Sequence, residues 1–193
     1  MIQGLDAAKL SSTGQYTFID ALALLASAKP DTPLDSVSRT ITQAIGSIKD
    51  KKIHLILDSP DALLATGATT SHALSSLLLN LRSQVHSATL TLSSDLPLVT
   101  AATGAANGAT PLEVESAAFL AQQAHLATLV MAVRELETGA ARDVSGVLRV
   151  TGGGDKGSDG GEDVQTDAVK EMEALFLVGR DGGVKVFERG AAS

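Results

Sequence analysis

The 193-residue chain has no cysteine. That excludes disulfides, thiolate nucleophiles and cysteine-bound zinc, and it suits a reducing compartment. Tryptophan is also missing and aromatic residues amount to 3%. The core must therefore be aliphatic, built mainly from Ala, Leu and Val, as in parallel strands flanked by helices. Bases are scarce as well: 15 Lys and Arg stand against 22 Asp and Glu, for a formal net charge of -7. A surface of that sign does not attract phosphate backbones as a whole, so any nucleic-acid contact must be local or shared. No apolar run approaches the roughly 20 residues that span a bilayer. The opening Met1-Ile2-Gln3-Gly4-Leu5-Asp6 lacks the basic start and apolar stretch of a signal peptide. These absences lead to the expectation of a soluble, cytoplasmic protein that makes no membrane contact. The length suits one domain.

Hydrophobic spacing predicts an alternation of helices and strands. Leu5 to Leu10 reads as the end of a short helix and Tyr16 to Ile19 as a strand. Asp20 can cap a helix through Leu25, and Val37, Ile41, Ala44, Ile45 and Ile48 mark an amphipathic helix over 35–48. Ile53 to Asp58 is a nearly continuous apolar run ending in a carboxylate, which predicts a central buried strand. Short and longer helices follow at 61–65 and from Ser71 to about Val85, then a strand at Ala88 to Leu92. This order predicts a parallel sheet with right-handed crossovers. Residues 101–110 read as a loop ahead of a helix starting near Pro111. Val144 to Thr151 alternates as a strand, and Glu173 to Val178 with Val184 to Glu188 flank the hairpin signal Arg180-Asp181-Gly182-Gly183. From Gly152 to Val169 glycines and acids crowd together, which predicts a flexible acidic loop.

Chemistry-bearing patterns are few. An apolar strand ending in Asp58 has the form of a magnesium-binding carboxylate in phosphate-transfer folds. An Asp that caps the helix after Pro60 fits the same residues. The glycine-rich loop ending in Gly-Lys-Ser or Gly-Lys-Thr that must accompany such a carboxylate does not occur in these residues. Gly152, Gly154 and Gly157 satisfy a dinucleotide-loop spacing formally, but the acids that follow would repel a pyrophosphate, and a linker fits better. His54, His72, His86 and His125 are dispersed and give no metal-ligand spacing. His54 is expected to be a hydrogen-bonded interior residue. Ser59, Ser93, Ser94 and Asp95 fall at strand ends, where α/β proteins bind ligands but where caps and turns also lie. No catalytic residue, cofactor or metal is assigned. Arg134, Arg142 and Arg149, with Lys156, gather towards the later strands, and Arg142 and Arg149 are the candidate phosphate contacts.

Residues 137–150, Glu-Thr-Gly-Ala-Ala-Arg-Asp-Val-Ser-Gly-Val-Leu-Arg-Val, resemble the Thr-Gly-x-Ala-x-Asp-Val-[Ser/Thr]-Gly signature of the RecA-like Elongator accessory subunits. Leu55 to Leu64, Gly4-Leu5-Asp6, Phe18-Ile19-Asp20 and the closing hairpin match in family order. The resemblance implies a P-loop NTPase-like fold without a Walker A loop, largely parallel, and ending in antiparallel strands. It also implies that the strand near Leu129 follows a shorter helix; helix propensity alone would run on from Pro111 to Glu137. The family's elements ahead of Gly4 have no counterpart, so a single RecA-like domain shortened at its N-terminus is expected.

The function implied is that of a non-catalytic subunit. Two related RecA-like proteins complete a ring of six, which binds tRNA and assists wobble-uridine modification by the catalytic Elongator subcomplex, in the cytoplasm and the nucleus. Asp58 is not carried over as a magnesium ligand, because the family's nucleotide site is degenerate in subunits of this kind. Two alternatives remain open at this point. One is a RecA-like ATPase whose phosphate loop lies upstream; the other is a small-molecule α/β enzyme using Ser93 or Asp95.

Overall fold

A computed structural model describes residues 6–27, 33–49, 51–67, 69–95, 100, 108–136, 143–154 and 170–188. The chain forms two compact units, Met1–Phe119 and Leu120–Ser193. In the first, α1 (Ala7–Ser12), α2 (Ala21–Ser27) and α3 (Pro33–Ser47) precede β1 (His54–Asp58). Then come α4 (Ala62–Ala65), α5 (Ser71–Arg82), β2 (Ser87–Thr91) and the start of α6 (Pro111–Leu126).

Four of the helices begin where a short polar side chain satisfies a free backbone amide. Asp6 accepts from Lys9 N at 3.0 Å, Asp20 from Ala23 N at 2.9 Å and Thr70 from Ala73 N at 3.3 Å. At α6 the exchange is reciprocal: Glu113 N donates to the Thr110 hydroxyl at 3.3 Å, and Thr110 N donates to the Glu113 carboxylate at 2.7 Å. The Thr110 amide and hydroxyl, both donating to the carboxylate, hold the Glu113 carboxyl below its ordinary value.

The four-residue spacing of Val37, Ile41 and Ile45 makes one stripe of α3, and that stripe is buried with Leu81 of α5. A second cluster joins Leu63, Leu64, Leu74, Leu78 and Phe119. Phe119 is 0% exposed and supplies the one large ring of an otherwise aliphatic cluster.

β1 and β2 pair in parallel, with His54 opposite Ser87 and Asp58 opposite Thr91. Their alternation turns Leu55, Leu57 and Leu90 towards the helix-lined clusters. His54, Ile56 and Asp58 face outward with Ser87, Thr89 and Thr91. The expected central buried strand is therefore corrected: among the described residues β1 pairs with β2 alone, and Ile56 is 63% exposed. Helices cover one face of this pair, so a continuous apolar run overstates its burial. Tyr16 to Ile19 forms no strand either and has no ladder partner among the described residues. β propensity alone does not make a strand without an edge to pair with.

The second unit is an antiparallel sheet in the order β3 (Leu129–Arg134), β4 (Gly146–Gly152), β5 (Met172–Val178), β6 (Val184–Glu188). The strand that the resemblance implies near Leu129 is present as β3. However, the larger sheet is antiparallel, which corrects the expectation of a largely parallel one. Residues 135–145 joining β3 to β4 are fewer than the roughly dozen or more that a parallel crossover needs. The predicted hairpin forms: Gly179 N donates to Gly183 O at 2.7 Å, Gly182 takes φ +77°, and Asp181 accepts from Gly183 N at 3.0 Å.

Register divides this sheet into unlike faces. Arg134, Arg149, Glu173 and Lys185 fall on one, and Met131, Val133, Val150, Met172, Val178 and Val186 on the other. Gly152 belongs to β4, and Gly153 N donates to Thr128 O at 3.1 Å, so the flexible loop does not begin at Gly152 as expected. Residues 155–169 lie outside the described residues, as do 137–142 of the signature and 101–107 of the expected loop.

The signature's last two residues have visible structural roles. Ser145 N donates to Phe176 O at 2.7 Å, and its hydroxyl accepts from Val178 N at 2.9 Å. At Gly146 a Cβ would stand 2.6 Å from the Arg134 carbonyl oxygen and 2.9 Å from the Phe176 ring. Only glycine fits at that crossing of β3, β4 and β5.

Candidate functional site

Ligands of parallel α/β sheets collect at the carboxyl ends of the strands, and here that edge is lined by acids and hydroxyls. Asp58 ends β1 and accepts a short hydrogen bond from the Thr91 hydroxyl at the end of β2. Ser59 N donates to both the Thr91 carbonyl, at 3.1 Å, and its hydroxyl, at 3.0 Å. Ser59 takes φ +51°, an uncommon conformation for a residue with a side chain, as the chain turns into buried Pro60 and α4. Asp58 therefore does not cap α4. Asp61 occupies the cap position without a cap bond and instead accepts from Ser93 N at 3.1 Å through Oδ2. Its Oδ1 is buried with no hydrogen-bond partner. Ser93 in turn donates to Asp95 at 3.1 Å.

The edge thus brings together Asp58, Ser59, Ser93 and Asp95, all singled out from the sequence, and adds Thr91 and Asp61. Such a collection accepts hydrogen bonds and repels phosphate. The nearby N-terminus of α5, a natural anion site by its dipole, is already filled: Ser71 N donates to the Glu115 carboxylate. That bond holds the Glu115 carboxyl below its ordinary range.

On the outward face of the strand pair, His54 shares hydrogen bonds with Ser87 at 2.7 Å through Nδ1 and Thr89 at 3.2 Å through Nε2. The expected interior histidine is exposed, because it falls on the uncovered face. Contact with a serine resembles a nucleophile–base pair, but no carboxylate orients the ring in these bonds, and cross-strand polar pairing accounts for them. Among the described residues no three His, Asp or Glu side chains gather as a metal site. No helix among them is long and apolar enough to cross a membrane.

Of the candidate phosphate contacts, Arg142 lies outside the described residues, as does Lys156. Arg149 is exposed on β4, opposite Glu173 of β5. It lines an open depression with Thr151, Glu171 and Glu173. Arg134 shares that sheet face and approaches Glu173 at 3.8 Å. Two bases are therefore brought together, but with glutamates between and beside them, which lowers the local positive potential. Sequence reasoning missed Thr91, Ser87 and Thr89; the alternation Ser-Ala-Thr-Leu-Thr over 87–91 carries the signal for a hydroxyl-bearing face.

No family model matches the chain, and no curated protein shows significant sequence similarity to it.

Proposed function

We propose that this chain is a RecA-like, non-hydrolysing subunit of the Elongator accessory ring, most similar to Elongator complex protein six. In this reading it joins two related RecA-like subunits and contributes a surface to tRNA held by the assembled ring, in support of wobble-uridine modification. The observation that carries the proposal is the match over 137–150, whose Ser145 and Gly146 lock β4 against β5. The carboxylate-lined edge of β1 and β2 supports the non-hydrolysing part, because Asp58, Asp61 and Asp95 offer a triphosphate no compensating charge. Sizing a purified mixture with the two sister subunits tests the proposal. A complex well above the mass of any pair is expected, and its absence at low salt refutes it.

A second reading draws on the position of Asp58 at the carboxyl end of β1, the place of a magnesium carboxylate in ATP-hydrolysing relatives. It requires a Gly-Lys-Ser or Gly-Lys-Thr loop encoded upstream. Sequencing that region decides it, since a loop there supports hydrolysis and its absence removes the reading.

A further inference from the structure

The four-stranded sheet distributes its side chains unequally. Antiparallel sheets ordinarily set a polar face to water and an apolar face against a core. Here the charged residues Arg134, Arg149, Glu173 and Lys185 share one face, as expected of a solvated side. On the opposite face the register places one charged residue, Glu188 at the end of β6, among otherwise apolar ones, and its edges are uncovered although Ala174 at its centre is buried. Met131 and Val133 on β3 are each 63% exposed, and Val184 and Val186 on β6 are 56% and 57% exposed. Met172 and Val178 on β5 extend the exposed area between these edges. An aliphatic surface running from one edge strand to the other exceeds the scattered exposed side chains of an ordinary protein surface.

We infer that this face pairs with the same face of a second copy, closing two four-stranded sheets into a sandwich. Area and charge both favour that occupant. The exposed side chains offer on the order of 600 Å² per copy, so a face-to-face pair buries roughly 1,200 Å², the lower end of specific interfaces. Sheets packed about 10 Å apart interdigitate such branched side chains as a core does. A net charge of -7 normally opposes self-association. Here the exposed contact residues Met131, Val133, Met172, Val178, Val184 and Val186 are uncharged and Arg134, Arg149, Glu173 and Lys185 lie on the far side, so apart from Glu188 at the end of β6 the repulsion acts at a distance and is screened by salt. A largely apolar face also needs little complementary charge and can pair with itself, as a two-fold contact requires.

The test is sedimentation of the isolated full chain from about 1 to 200 µM, a range that brackets the affinity expected of so small an interface. A monomer–dimer equilibrium is expected. Met131→Lys and Val186→Lys, at opposite edges, should each raise the dissociation constant by about tenfold or more, while Lys185→Ala on the other face leaves it unchanged. Monomer throughout, a mass that grows beyond two copies, or a dimer indifferent to both lysines overturns the inference. A photo-crosslinking residue at Val133, in a mixture of light and heavy isotope-labelled copies, gives a readout that does not depend on the lysine variants folding. Mixed-isotope cross-links to β5 or β6 of this face support the pairing. Cross-links only within one copy, or only to the charged face, overturn it. Self-association is measured without the sister subunits, so its failure leaves the ring reading standing and the failure of the ring reading leaves it standing.

Discussion

Replacing Phe119 with alanine should be the most damaging single change in the first unit. The ring is fully buried among Leu63, Leu64, Leu74 and Leu78. With so few aromatic residues in the chain, no second aromatic ring lies among the described residues of that cluster to fill the space. Truncations of this kind cost about 3–5 kcal/mol through lost burial and the cavity left behind. That is a large part of the roughly 5–15 kcal/mol that holds a typical domain together. For a chain of this size it corresponds to a fall of about 10 °C in Tm. Phe119→Leu keeps most of the volume and should cost less than about 1.5 kcal/mol. Urea unfolding followed by far-ultraviolet circular dichroism is the suitable assay, because the chain has no tryptophan and a single tyrosine. Amide exchange gives the spatial readout: protection should fall across β1, β2 and α5 and persist in β3 to β6. A loss below about 1 kcal/mol, or an equal loss of protection in both units, would refute the role assigned to this ring.

Three further outcomes follow from particular contacts. The carboxyls of Glu113 and Glu115 are held below their ordinary values by bonds to Thr110 and Ser71. Their contribution is thus present above the ordinary glutamate value and is lost as pH falls through the depressed folded values; Glu115→Gln should lower Tm at neutral pH and flatten its acid-side slope, and an unchanged slope counts against the bond. Gly146→Ala should cost about 1–3 kcal/mol because the Arg134 carbonyl must move, whereas Gly152→Ala, with nothing within 4 Å of its Cβ, should be nearly neutral in the same denaturation assay; equal effects would contradict the steric account. Reversing the charges of Arg142 and Arg149 should weaken tRNA binding by the assembled ring and make the salt dependence shallower by about one unit of slope per lost phosphate contact; an unchanged slope removes both residues from the interface.

Local pattern made much of the fold legible. Val37, Ile41 and Ile45 recur at helical spacing and are buried together, and Arg180-Asp181-Gly182-Gly183 encodes its hairpin through one positive φ and one aspartate bond. Ala127 to Val133 suits helix or strand equally on propensity, and the choice is made by ladder bonds to β4 that lie outside that window. The burial of β1 was not legible for a similar reason: Ile-His-Leu-Ile-Leu does not state how many layers cover it. Individual members of the strand-edge site, Asp58 and Ser93, stand out by position. The bond from Thr91 to Asp58 depends on the register of strands separated by two helices, and the contact of Arg134 with Glu173 depends on two successive registers. Such relations arise from pairing and have no trace in spacing along the chain.

Helix α5 receives its counter-ion from α6. Because Glu115 already occupies the amide at Ser71, an anion arriving from solution meets a tethered rival, and a tethered group competes at an effective concentration on the order of millimolar or higher. Free phosphate at ordinary cellular levels gains little there. The positive end of the helix dipole is spent on joining α5 to α6, so a feature that elsewhere recruits ligands serves here as an internal fastening.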